Sequence, residues 1–227
     1  SLGNITFTDA NGNTIRDFKP NEFAFDVAYS RKLSEYFSGG ITLRYIHSNL
    51  TGGTSVEGTD SKAGNSAAAD ISSFFQKNIE LGNKDAVLTA GVNISNIGAK
   101  ISYTETGTKN FLPTNLRLGP GLKLKLNEYN DLAFGLDINK LLVPTPPIYT
   151  QDSTNSANDV ILYGQDPDVG VPAGMLQSFS DAPGGGKEEL KEINLGFGME
   201  YWYDKQFAFR AGYFYEDKTK GNRKYFT

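Results

Sequence analysis

The only histidine, His47, stands beside Ser48, so a hydrolytic dyad is the first chemistry to test. Adjacent residues of an extended segment point to opposite faces. That separates the His47 imidazole from the Ser48 hydroxyl, and no other spacing pairs a nucleophile with a base. There is no cysteine, which removes thiolate catalysis, disulfides and Cys-based metal sites. Asp9-x-Asn11-x-Asn13 resembles the opening of a calcium loop, but Gly12 falls at its fourth position rather than the sixth, and Pro20 stands where the bidentate Glu belongs. A turn fits that segment better. Gly184-Gly185-Gly186-Lys187 lacks phosphate-loop spacing and reads as loop. The residues therefore predict no enzyme, no metal and no cofactor.

What remains is a set of charges spaced two apart, and their meaning depends on the elements that hold them. From Leu116 to Leu126, leucines at 116, 118, 122, 124 and 126 alternate with Arg117, Gly119, Gly121, Lys123 and Lys125. After a polar turn, Leu132, Phe134, Leu136 and Ile138 alternate with Ala133, Gly135, Asp137 and Asn139. Period two is the mark of a strand with one apolar and one polar face, and the two halves form a hairpin. The same pattern runs through Glu22–Lys32, Phe37–Asn49, Ala86–Ile94, Leu190–Tyr203 and Phe207–Glu216, and less regularly through Asp70–Leu81. Eight strands are complete. Lengths of about 11 residues match the roughly 9–11 that a tilted strand needs to cross a bilayer, against about 5–6 in soluble sheets.

The expected fold is all-β, a transmembrane antiparallel β-barrel. With 38% hydrophobic residues and a mean hydropathy of −0.40, the chain has no apolar run near the roughly 18 residues of a membrane helix. A barrel passes this test, because only alternate residues face lipid. Connections alternate short and long, the asymmetry of periplasmic turns and extracellular loops. Aromatics at Tyr36, Phe37, Tyr129, Trp202, Tyr203 and Phe207 collect beside the short turns and read as an interfacial girdle. The polar faces, read as lumenal, carry Glu22, Asp26, Arg44, Asp70, Arg117, Lys123, Asp137, Glu192, Glu200 and Arg210. Mixed signs suit a braced or plugged lumen. A net charge of −4 without a basic block gives no sign of nucleic acid.

Asp9–Asn21 reads as a polar loop and Leu50–Ala68 as a Gly/Ser/Thr/Ala-rich one. Asn4–Thr8 reads as the tail of one strand and Tyr225-Phe226-Thr227 as the start of another. Residues 1–227 are thus expected to form a single outer-membrane barrel domain, incomplete at both ends, with a long extracellular loop over 143–189. In Leu142-Val143-Pro144-Thr145-Pro146-Pro147 the prolines end a strand and stiffen the chain. Leu142, Val143, Pro144, Pro146 and Pro147 are the candidates for meeting a partner, if these prolines hold the loop extended.

Three stretches carry a resemblance: Phe111–Gly119 (FLPTNLRLG), Asn139–Pro147 (NKLLVPTPP), and Arg210–Phe214 continuing through Lys220–Thr227. They resemble the PorV (LptO) family of the type IX secretion system, and Glu22–Leu50 is similar to the wider FadL-like group. The resemblance implies a 14-stranded FadL-like barrel in the bacterial outer membrane, in contact with its lipid. It implies a non-enzymatic partner of the SprA (Sov) translocon barrel that receives cargo bearing the type IX C-terminal signal domain and passes it to the PorU sortase complex. A FadL-like transporter of hydrophobic small molecules is the alternative, and it requires an apolar lumenal pocket.

Overall fold

The computed structural model describes residues 3–9, 11–50, 52–53, 60–104, 107, 109–150 and 160–227. The sequence-read loops over 50–68 and 143–189 therefore fall partly outside the described residues. The chain opens with β1 (Ile5–Thr8) and β2 (Thr14–Phe18), paired as a separate hairpin. Next come β3 (Asn21–Lys32), β4 (Phe37–Asn49), β5 (Gly64–Leu81), β6 (Lys84–Gly98), β7 (Asn115–Lys125) and β8 (Asn130–Leu141). A folded insertion holds β9 (Ile148–Tyr149), β10 (Ile161–Tyr163), α1 (Val171–Gln177) and α2 (Gly186–Lys191). β11 (Ile193–Tyr203), β12 (Phe207–Tyr215) and β13 (Lys224–Phe226) complete it.

Nine strands form one antiparallel sheet in the order β13-β12-β11-β8-β7-β6-β5-β4-β3. The eight long ones are those the alternation marks. The sheet is open among the described residues, with β3 and β13 at its edges. Connections at 33–36, 82–83, 126–129 and 204–206 are short, and those at 50–63, 99–114 and 142–192 are long. Asp204 and Lys205 both have positive φ, 49° and 53°, which closes the tight β11–β12 turn in the hand that twisted strands need.

One face is apolar and exposed. Phe25, Val27, Tyr29, Leu43, Ile71, Phe197 and Phe209 stand on it, each half or more exposed. Water would not tolerate such a patch, whereas lipid would cover it. Trp202 departs from the expected girdle: it lies on the polar parity, where its indole N–H donates to Glu200 and Arg210 stacks on its ring.

Several expectations are corrected. Ile5–Phe7 belongs to the β1–β2 hairpin, not to the sheet, and the expected polar loop 9–21 contains β2. The turn at Asp9 is real: its Oδ1 accepts the N–H groups of Asn11 and Asn13, each at 2.8 Å. β5 begins at Gly64, six residues before the sequence-read start at Asp70. The small residues there serve packing, since Gly64, Ser66 and Ala68 are buried, with Ile101 and Tyr103 against Gly64, Ile101 and Leu112 on Ala68, and Ser66 donating to Ala99 O at 2.7 Å. Leu190 is in α2, and Glu192 caps it rather than starting β11.

A line of glycines crosses the polar face. Gly121, Gly135, Gly198 and Gly212 are successive register partners on β7, β8, β11 and β12. The line continues through Thr89 and Gln76, whose N–H donates to Tyr36 O. A Cβ at Gly198 would meet nothing within 4 Å, whereas at Gly98 it would press on Ala68 Cβ at 2.7 Å and on the Ala67 carbonyl. Gly198→Ala is therefore expected to change stability by less than about 0.5 kcal/mol. Gly98→Ala should cost about 1–3 kcal/mol by overpacking. Urea unfolding of the two variants in lipid vesicles measures the difference.

Candidate functional site

Two regions of the molecule are rich in polar contacts: the polar face of the sheet and the folded insertion at its long-loop end. On the polar face, Arg44 of β4 bridges three strands. Its Nε donates to Asp26 Oδ1 of β3 at 2.7 Å, and its Nη2 to Asp70 Oδ2 of β5 at 3.2 Å. It also donates to the Asn96 side chain, and Asp70 Oδ1 accepts the Asn96 N–H at 2.8 Å. Asn96 sits at a register shift with φ of 60°, and its carbonyl accepts from the buried Thr114 hydroxyl at 2.8 Å. The alternation marks Asp26, Arg44 and Asp70 but misses Asn96, because the bulge breaks the parity there.

The other marked charges are paired locally. Ser48 Oγ donates to Glu22 at 2.5 Å, Arg117 to Asn139 Oδ1 at 2.8 Å, and Lys123 meets Asp131 at 2.9 Å. Arg210 pairs with Glu200. Asp137 lines a concavity of about 870 Å³, with Gly119, Gly135, Gly198, Glu200 and Arg210. Its walls are mixed, with the stacked rings of Phe214 and Tyr225 and the Ala133 side chain beside the charges and the glycine backbone. His47 is on the opposite face from Ser48, stacked on Phe23 with Nδ1 2.8 Å from Asn65 Oδ1. The two form no dyad.

Glu192, expected among these face charges, lies instead in an ion cluster at the long-loop rim. Lys140 Nζ donates to Glu189 and Glu192, both at 2.9 Å. Lys220 Nζ donates to Glu188 at 2.8 Å and Glu192 at 2.9 Å, and Thr145 Oγ1 donates to Glu192 at 2.9 Å. The cluster ties α2, the end of β8, the 216–223 connection and the proline run into one unit. Burial pushes the Glu192 carboxyl up, but hydrogen bonds from Lys140, Lys220 and Thr145 outweigh it and hold the group below the ordinary range. Glu188 is held low chiefly by Lys220.

Asp181 behaves oppositely. It is fully buried, its Oδ2 accepts the Thr145 N–H at 3.1 Å, and its Oδ1 meets no donor among the described residues. Burial raises its pKa, and the neighbouring Glu189 and Glu192 charges add to the rise. Between the unfolded and folded values the docked insertion holds a proton that the free one does not, so docking weakens as pH rises through that window. Glu188 and Glu192 act in the other sense: their contribution is present above the ordinary glutamate value and is lost as pH falls through their lowered ones. Asp181→Asn is expected to strengthen docking at neutral pH by about 1 kcal/mol, the low end for an incompletely met buried charge, because the neutral amide escapes the burial penalty and the repulsion from Glu189 and Glu192. Loss of docking on acidification should persist. Amide exchange in α2 at both pH values measures it.

The proline run is not the extended arm that partner binding by Leu142, Val143, Pro144, Pro146 and Pro147 requires. Leu142 and Pro144 are buried, and the Gly174 backbone of α1 packs so closely on Pro144 and Phe111 that an added Cβ would lie 3.0 and 2.8 Å from them. The chain folds back over the run. Val143 and Pro147 are partly covered, and only Pro146 of the five is exposed.

Among the described residues, no group of three or more His, Cys, Asp or Glu is placed to hold a metal ion. No curated protein matches the chain. Residues 1–148 match the family described as type IX secretion system protein PorV. That span runs from β1 through the Arg44 network to the buried proline run, and on it the chain belongs to the PorV family.

Proposed function

We propose that the chain is the sheet of an outer-membrane, FadL-like barrel that acts without catalysis in type IX secretion. It docks on the SprA (Sov) translocon, receives cargo with the C-terminal signal domain, and hands it to the PorU sortase complex. The single observation that carries this reading is the family match over 1–148. The exposed apolar face supports a lipid-facing wall, and the alternation of short and long connections supports placing the long ones outside the cell. Residues 1–227 form one domain in this reading, with the insertion over 143–189 as its outward part.

The transporter alternative is less favoured. Phe214, Tyr225 and Ala133 give the concavity an apolar wall, but Asp137, Glu200 and Arg210 line the same open space, and a lipophilic ligand there would strip water from them. Crosslinking from a single cysteine in place of Asp166, which is exposed in the insertion, tests the proposal in intact cells. Adducts with the translocon or with signal-domain cargo are expected. A cell in which that cysteine is labelled from outside yet captures neither overturns the docking role.

A further inference from the structure

We propose that the β9–β10 hairpin is a docking edge for an extended, basic segment of a partner protein. Ile148, Tyr149, Val160, Leu162 and Tyr163 are each 43–64% exposed. Ile148 and Tyr149 are neighbours on a strand, as are Leu162 and Tyr163, so they point to opposite sides and both faces of the hairpin are bare. Among the described residues β9 and β10 pair only with each other, leaving an unpaired backbone edge on each flank. An isolated hairpin is marginal in water, and a clustered apolar surface in a polar loop marks a contact site.

Charge selects the occupant. Residues 142–192 carry eight carboxylates against two lysines, and with Lys140 and Lys220, which pair with Glu188, Glu189 and Glu192, the insertion stands at −4, the whole net charge of the chain. Asp166 and Asp168 are exposed directly after β10, and only Asp168 meets a cation, Lys100 at 3.5 Å. Phosphate-bearing lipid headgroups would be repelled from this region, which sets its apolar residues apart from the lipid-facing ones of the sheet. A basic strand satisfies all three demands. Its backbone completes an open edge, alternate apolar side chains cover one hairpin face, and its cations meet the carboxylates. The inference rests on the secretion reading for its biological partner, and the surface itself is tested without it.

The probe is a fluorescent decapeptide of alternating Lys and Val, titrated onto the full chain in neutral-lipid nanodiscs. Roughly micromolar binding is expected. An alternating Glu and Val peptide, and the basic peptide with alternate backbone nitrogens methylated, should each bind on the order of tenfold more weakly. Leu162→Ser with Tyr163→Ser should lose a similar factor. Asp166→Asn with Asp168→Asn should weaken binding and flatten its salt dependence.

Equal binding of the acidic and basic peptides, indifference to methylation, or indifference to the two serine substitutions overturns the proposal. So does flotation with phosphatidylglycerol vesicles that the same substitutions abolish, which would make the hairpin a lipid contact. Secretion of signal-domain cargo by the serine variant is read separately. Normal secretion with lost peptide binding leaves the docking edge standing and counts against the secretion reading, whereas absent peptide binding removes the docking edge whatever secretion does.

Discussion

Lys140→Met is expected to release the insertion from the sheet while leaving the sheet folded. The side chains of Lys140, Glu189 and Glu192 are only 8%, 10% and 13% exposed. Removing the cation strands the Glu189 charge with only the Ala182 N–H at 2.8 Å and leaves Glu192 to Lys220 and Thr145, in a site that already holds the orphaned Asp181 oxygen. Breaking a buried pair from one side costs about 3–5 kcal/mol. Protection of the amides in α2 and around 160–182 should therefore fall by two orders of magnitude or more, since about 1.4 kcal/mol is tenfold. Amides of β7 and β8 should exchange as before. Lys140→Met with Glu189→Gln should recover part of the protection, because one stranded charge is then gone. If α2 stays protected in the single variant, the cluster is not what holds the insertion.

Arg44→Gln should weaken the sheet itself. Its loss leaves Asp26 and Asp70 facing each other across β4 with one backbone N–H, from Asn96, on Asp70. Asp26 is 44% exposed and water will solvate it, whereas Asp70 is 13% exposed and will not be so relieved. About 2–3 kcal/mol is expected, most of it from Asp70. The discriminating measurement is rescue. Asp70→Asn in the Arg44→Gln background should restore more stability to urea than Asp26→Asn does, and equal rescue would contradict this account.

The eight long strands are legible because period two persists through each of them, even where glycines replace side chains on the polar parity. The pairing of Asp26, Arg44 and Asp70 is legible for the same reason, since register places like parities together. The insertion is not. α1 spans seven residues and α2 six, too short for a helical period to emerge. Local signals do exist: Pro172 in the first turn of α1, and Glu188 and Glu189 at the start of α2 with Lys191 at its end. Lys140 was hidden by its position on the apolar parity of β8, and its partners lie 49 and 52 residues further on. No spacing rule reaches that far.

The glycine line also fixes how the strands lean. It leaves β12 at Gly212, one residue from the middle of Phe207–Tyr215, and arrives beside β4 at Tyr36, just outside the turn end of Phe37–Asn49. Over six hydrogen-bonded steps the strands have slid past one another by roughly one residue per step. With a rise near 3.4 Å and neighbours near 4.8 Å apart, such a slide corresponds to strands inclined about 35° to the axis of curvature. An 11-residue strand at that inclination climbs about 30 Å, enough to cover an apolar band about 25 Å tall. The same lean displaces the two ends of each strand sideways, so the insertion after β8 meets Lys100 ahead of β7 and Lys220 beyond β12 as well as Lys140 at its own base.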